Sequence, residues 1–183
     1  IISFLLGLVF LVGFALSAHV KMNISQAALR KDYALVKDIY LNDYEANIHL
    51  LCVVTSAIQA DLLRAAVSGD LETAEAILAI PFININHDDE LVLSAMADSP
   101  EMFFLFLAHE SFIPDRPLFK YGEKTILHFA VIEGIFYAVE ALLSRDDVSL
   151  NALDVKGYTP LIYAVSCERS EIVEAIINHP RFD

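Results

Sequence analysis

Basic charge is scarce in this sequence. Lys and Arg number 12 against 25 Asp and Glu, a formal net charge of −13 over 183 residues. No basic run or stripe occurs anywhere along the chain. Phosphate backbones are held by clustered Lys and Arg, so this balance argues against a nucleic-acid partner. Glycine and proline are also few, at six each, which excludes long flexible linkers and low-complexity segments. The two cysteines, Cys52 and Cys167, stand far apart and form no CxxC, which excludes a disulfide framework and a zinc knuckle. GxGxxG, P-loop and GxSxG patterns are absent. No catalysis, cofactor, metal or small-molecule substrate is therefore expected.

The sequence does have a long apolar run. It opens with IISFLLGLVFLVGFALSAHV, which contains no Asp, Glu, Lys or Arg. A membrane helix needs roughly 20 such residues, a secretory h-region only about 7–15. The run is apolar all round a helix, which argues against an amphipathic core helix. Residues 1–20 are thus expected to form a single transmembrane helix or signal anchor. A cleaved signal peptide is the alternative, with Ala15-Leu16-Ser17 as its small-residue site. Lys21, Arg30, Lys31 and Lys37 follow the run, and basic residues near a span favour the cytoplasmic or a matrix-like side for what comes after. The chain does not begin with Met and ends at HPRFD, and it is read as a piece of a longer product.

From residue 23 onward, Ala, Leu, Ile and Val recur at helical spacing, and the end of the chain repeats itself. GEKTILHFAVIEGIFYAVEALLSRDDVSLNALD is followed by GYTPLIYAVSCERSEIVEAIINHPRFD. Thr125 and Thr159, Ala130 and Ala164, and Leu142 and Ile176 are each 34 apart. GYTPLIYA resembles the G-x-T-P-L-H-x-A of the ankyrin repeat, with Ile162 where His is usual. KTILHFA keeps His128 but has Ile126 where Pro is usual, and LNALD resembles V-N-A-x-D. The local physics agrees: Thr159 can cap a helix, Pro160 suits its first position, and Gly134 suits a left-handed helix end.

Weaker copies centre on Ala65, Ala95 (with Ser99 where Gly is usual) and Ala27, and their spacing is uneven. Residues 42–58 have no place in the scheme. The expectation is an all-α, ankyrin-type helical-pair solenoid of about five units over residues 23–183, the early units degenerate. Cys52 and Cys167 are then too many helix layers apart to pair, and two separate thiols point to a reducing compartment.

The polar clusters read as solvated loop tips: NHDDE (Asn86–Glu90) lacks EF-hand spacing, and SRDDVS around Asp146 and Asp147 is similar. His128 matches the family's structural His, which bonds backbone between repeats. What remains is surface recognition. Taking Ser99 and Gly134 as equivalent positions puts Leu105, Phe106, Phe136 and Tyr137 on the outer face of neighbouring helices, as one protein-binding patch. The loops near Asp88, Val155 and Tyr158 are the fallback contact. Ile172 and Ile176, in the last unit, are expected to need a cover from further chain or a partner.

The resemblance implies a non-catalytic scaffold, an accessory subunit or adaptor that contacts other protein subunits in a membrane assembly. The alternatives are a secreted or periplasmic ankyrin-repeat binder, such as a microbial effector, and an enzyme or channel whose working part lies elsewhere in a longer chain.

Overall fold

The computed structural model describes residues 27–28, 30–42, 44–86 and 88–182, with side chains omitted for 42–53. The expected membrane helix over residues 1–20 lies outside the described residues. Among the described residues, no helix is long and apolar enough to cross a membrane.

The described elements are helices and one short 3-10 turn. In order they are α1 (Tyr33–Asn42), α2 (Tyr44–Ser68), α3 (Leu71–Leu78), α4 (Asp89–Asp98), α5 (Pro100–Leu107), the 3-10 turn (Phe119–Tyr121), α6 (Ile126–Glu133), α7 (Phe136–Leu143), α8 (Pro160–Ser166) and α9 (Ser170–Ile177). The chain divides into two compact units. One is the part up to Arg64 with Glu72–Ile83, and the other is Ala65–Leu71 with Asn84–Asp183.

One turn is used again and again. The register alanines Ala27, Ala65, Ala95, Ala130 and Ala164 are all buried. Four residues after four of them, the backbone is left-handed: Lys31 (φ 57°), Gly69 (72°), Gly134 (73°) and Glu168 (56°). One residue further on, the N–H of Asp32, Asp70, Ile135 and Arg169 donates to the carbonyl of the corresponding alanine, at 2.9 Å each time. This closes the first helix with a bond that satisfies an otherwise orphaned carbonyl. The next helix begins directly after, at Tyr33, Leu71, Phe136 and Ser170. Small alanine side chains leave room for the paired helices to approach. The faint early copy around Ala27 therefore has the same turn as the clear late ones.

The unit around Ala95 departs from this. Ser99 is extended (φ −149°) and caps α5, its hydroxyl accepting from the Met102 N–H at 3.2 Å, with Pro100 at the first helical position. The left-handed residue is missing, so the turn is one residue shorter. The counterpart of Ser99 is Ile135, not Gly134. One residue is about 100° of helix rotation. In the corrected register, Met102, Phe103, Phe106 and Leu107 align with Ala138, Val139, Leu142 and Leu143, and all eight are buried.

In the second unit, α4, α6 and α8 pack in succession, and so do α5, α7 and α9; each inner helix also packs on its own outer partner. Phe103 and Phe106 are the largest wholly buried side chains among the described residues. Complete burial of such a side chain is worth about 1.5–3 kcal/mol. Ile172 and Ile176 are buried by the chain itself, so the expectation that they need an outside cover is corrected.

In the first unit, Val36, Val54, Ile58 and Leu62 form an apolar core. The Tyr33 hydroxyl donates to buried Asp61 at 2.8 Å, and Asp61 also pairs with Arg64. Of residues 42–58, which fitted no loop, Asn42 ends α1 and residues 44–58 belong to the 25-residue helix α2. No Gly or Pro interrupts residues 42–68, so nothing in the sequence stops that helix.

Candidate functional site

Three loops of the second unit lead into α4, α6 and α8, and each is bonded to the next. Asp88 caps α4 by accepting from the Glu90 N–H at 3.0 Å, and Lys120 of the next loop lies 4.0 Å from Asp88 and 3.8 Å from Glu90. In that second loop the Leu118 N–H donates to Lys124 at 2.9 Å, closing a tight turn through left-handed Gly122 and Glu123. The Val155 N–H of the third loop donates to Gly122 at 3.1 Å. Gly122 is needed here: a Cβ at this position would lie 3.2 Å from the Val155 side chain, and φ is 75°.

A polar centre fixes the third loop to α6 and α8. The Asp154 carboxylate has no exposed side-chain surface. It accepts from the backbone N–H of Lys156 (2.8 Å) and Tyr158 (3.0 Å) and from the Tyr163 hydroxyl (2.6 Å), with the Lys124 ammonium 3.6 Å away. Burial pushes the Asp154 pKa up, but the bonds from Tyr163, Tyr158 and Lys156, together with Lys124, outweigh it and hold the value at about 2. Burial and the Asp154 carboxylate push the Tyr163 hydroxyl up to about 12.

His128 accepts the Thr125 N–H at Nδ1 (3.1 Å), while the Thr125 hydroxyl accepts the His128 backbone N–H, a capping box at the start of α6. With Nδ1 accepting, Nε2 carries the proton and donates to the Tyr158 carbonyl at 3.0 Å. Burial lowers the His128 pKa and keeps the ring neutral. The imidazole therefore sits as a spacer between loop and helix, bonding backbone across 30 residues. The Tyr163 ring meets His128 edge-on at 5.9 Å and Tyr158 at 5.8 Å, and the Lys124 ammonium lies 5.4 Å from its centroid.

This rigid base carries exposed apolar groups. Val155 and Tyr158, expected from the sequence, are exposed, and Phe119 and Leu153 join them. Phe119 is 71 % exposed, more than any other large apolar side chain among the described residues. Sequence reasoning missed both, yet a signal existed: they are 34 residues apart, so they occupy the same place in consecutive repeats. Asp88 is half-buried and acts as a helix cap on the first loop.

The patch expected on the outer helices is not assembled as expected. Phe106 is wholly buried and belongs to the core, a correction that follows from the shortened turn at Ser99. Leu105, Phe136 and Tyr137 are half-buried. The Tyr137 hydroxyl donates to the Met96 carbonyl, and its ring packs 6.1 Å from both Phe103 and Phe104. Phe104, 50 % exposed, is the aromatic that the outer face presents; its counterparts in register are Glu75, Glu140 and Glu174. Cys167 is an exposed free thiol. Among the described residues, no group of three or more His, Cys, Asp or Glu is placed to hold a metal ion.

Helical pairs closed by one recurring turn, with bonded loops between them, define a repeat scaffold that displays a surface. The family model for ankyrin repeats (three copies) matches residues 91–183, and the chain belongs to the ankyrin-repeat family. The matched span holds the units of Ala95, Ala130 and Ala164. Such repeats are protein–protein interaction modules. No curated protein matches the sequence.

Proposed function

We propose that the chain is a non-catalytic scaffold, an accessory subunit or adaptor, that holds a protein partner on its loop row and is tethered to a membrane through residues 1–20. Phe119, Leu153, Val155 and Tyr158 are the contact residues. The observation that carries this reading is that these exposed apolar groups stand on loops bonded to one another and to a buried polar centre. Their geometry is set before binding, so little ordering entropy is lost on contact. Tyrosines such as Tyr158 are enriched among interface hot spots, which are worth about 2 kcal/mol or more each. The half-buried Leu105, Phe136 and Tyr137 play no part in this contact.

The tether rests on the length of the charge-free opening run, and it places the whole of residues 23–183, as one repeat domain, on the cytoplasmic or a matrix-like side. A secreted or periplasmic binder is the second reading, supported by Ala15-Leu16-Ser17.

Co-purification from detergent-solubilised membranes tests the contact. Val155→Asp with Tyr158→Asp is expected to lose the partner at least ten-fold, whereas Phe104→Asp keeps it. Retention by the loop variant would sink the assignment. Alkaline carbonate extraction tests the tether: the chain is expected in the pellet, and release of the intact protein refutes it. N-terminal sequencing of the mature protein decides between anchor and cleaved signal.

A further inference from the structure

Charge is sorted by position in the second unit. The helices α4 to α9 contain no lysine or arginine. The basic residues between and after them stand in loops and turns, and four of these pair with acids there. The outer helices are different. Glu101 of α5, Glu140 of α7, and Glu171 and Glu174 of α9 are exposed, as is Asp98 at the end of α4. Among the described residues, no cation pairs with any of the five. Glu101 and Glu171 lie in first turns, where negative charge suits the helix dipole. Glu140 and Glu174 lie in last turns, where it does not, and those turns hold no base. Local helix stability therefore gives no reason for these two.

A second, independent feature stands among them. Phe104 occupies the register position of Glu140 and Glu174 and is half exposed. Its ring lies 6.1 Å from that of Tyr137, tilted at 50°. Tyr137 in turn occupies the register position of Glu101 and Glu171. Burial raises the pKa of the Tyr137 hydroxyl, and the negative fields of Glu101 and Asp98 raise it further. Two aromatic rings and unpaired carboxylates thus share one place on α5 and α7, which pack side by side.

We propose that the outer face of α5 and α7, centred on Phe104, is a docking surface for an arginine-bearing segment of a partner protein. A guanidinium stacks on the exposed Phe104 ring, held by the ring quadrupole, and its N–H fork reaches the Glu101 or Glu140 carboxylate. A second arginine, one helix spacing of about 8–10 Å further along, meets Glu171 and Glu174 of α9. Charge selects this occupant. The face repels nucleic acid and an anionic lipid surface. A second copy of the chain, with a net charge of −13, meets it with like charge. A purely apolar partner would bury the carboxylates unpaired. The contact is separate from the loop row and does not depend on it.

The test measures fluorescence anisotropy of labelled octa-arginine and octa-lysine peptides with the full chain in detergent. Octa-arginine is expected to bind more tightly than octa-lysine, which has equal charge and no planar guanidinium. Glu101→Gln with Glu140→Gln is expected to weaken octa-arginine about ten-fold. Phe104→Ala is expected to weaken it about five-fold and octa-lysine less, and Phe104→Trp to keep it. Glu110→Gln with Asp146→Asn removes the same charge from exposed loop positions and is expected to change binding less than about two-fold. Val155→Asp with Tyr158→Asp, which tests the loop row, is expected to leave peptide binding in place. All the substituted acids and Phe104 are exposed, and circular dichroism checks that each variant is folded. Absence of octa-arginine binding would overturn the proposal. So would equal losses from the two pairs of acid substitutions, which would mean attraction by net charge alone, or unchanged affinity in Phe104→Ala. Self-association of the chain that Phe104→Ala abolishes would also overturn it, because the face would then belong to a second copy.

Discussion

Replacing Asp154 tests whether the polar centre sets the position of the third loop. The carboxylate accepts three hydrogen bonds and faces the Lys124 ammonium. Hydrogen bonds to a charged group are worth about 1.5–3 kcal/mol each. The Lys156 and Tyr158 N–H groups sit on an exposed loop and regain water when the carboxylate is removed, so the three values do not add. Asp154→Ala is expected to cost about 2–4 kcal/mol. Asp154→Asn keeps an oxygen for the two backbone donors and loses the charge opposite Lys124, for about 1–2 kcal/mol.

The pH dependence follows from the sign of the shift. The folded pKa of about 2 lies below the ordinary carboxylate value. The contribution is therefore fully present above the unfolded value of about 3.9 and is lost as pH falls toward 2. By pH 3, roughly midway, about half should be gone. Urea titrations of the full chain followed by far-UV circular dichroism at pH 7, 4 and 3 provide the assay, with the gap between wild type and Asp154→Asn as the readout. A gap below about 0.5 kcal/mol at pH 7, the range of ordinary surface substitutions, would refute the reasoning. So would a gap that stays constant down to pH 3.

Phe106→Ala is expected to cost about 3–5 kcal/mol as a core truncation, and Phe104→Ala less than about 1 kcal/mol; parallel urea titrations check the contrast, and equal losses would restore the outward register for Phe106. Glu168 is left-handed where the preceding unit has Gly134, so Glu168→Gly should raise stability by about 0.5 kcal/mol: relief of the left-handed strain outweighs glycine's extra unfolded-state entropy, and a lower denaturation midpoint would contradict it. Ser99→Ala removes the α5 cap and should lower stability by about 1 kcal/mol, read from the same titrations, whereas Ser99→Gly costs only a few tenths. Above pH 10, stability should fall, because a tyrosine held neutral up to about 12 adds stability below its unfolded value that disappears as pH rises through the folded one; Tyr163→Phe should flatten that alkaline limb.

The sequence by itself determined what depends on neighbours a few residues away. Thr159 with Pro160 marks a helix start, and the alanine followed four residues later by a left-handed position marks the turn. These bonds close within five residues, so the repeat register of the last two units was legible, and even Ala27 and Ala65 fell in place. The polar contact of His128 was legible only through resemblance, because its partner, the Tyr158 carbonyl, lies 30 residues away.

Exposure was decided by the tertiary structure. One residue fewer at Ser99 turns α5 by about 100°, which moves Phe106 into the core and leaves Phe104 outside. Residues 44–58 fitted no loop because no breaker ends the helix that contains them. Val131 and Val165 are the same residue type at the same place in consecutive units, one covered and the other open. A repeat pattern is local and periodic, whereas burial depends on which element packs on the next face, and that is set by the stack as a whole.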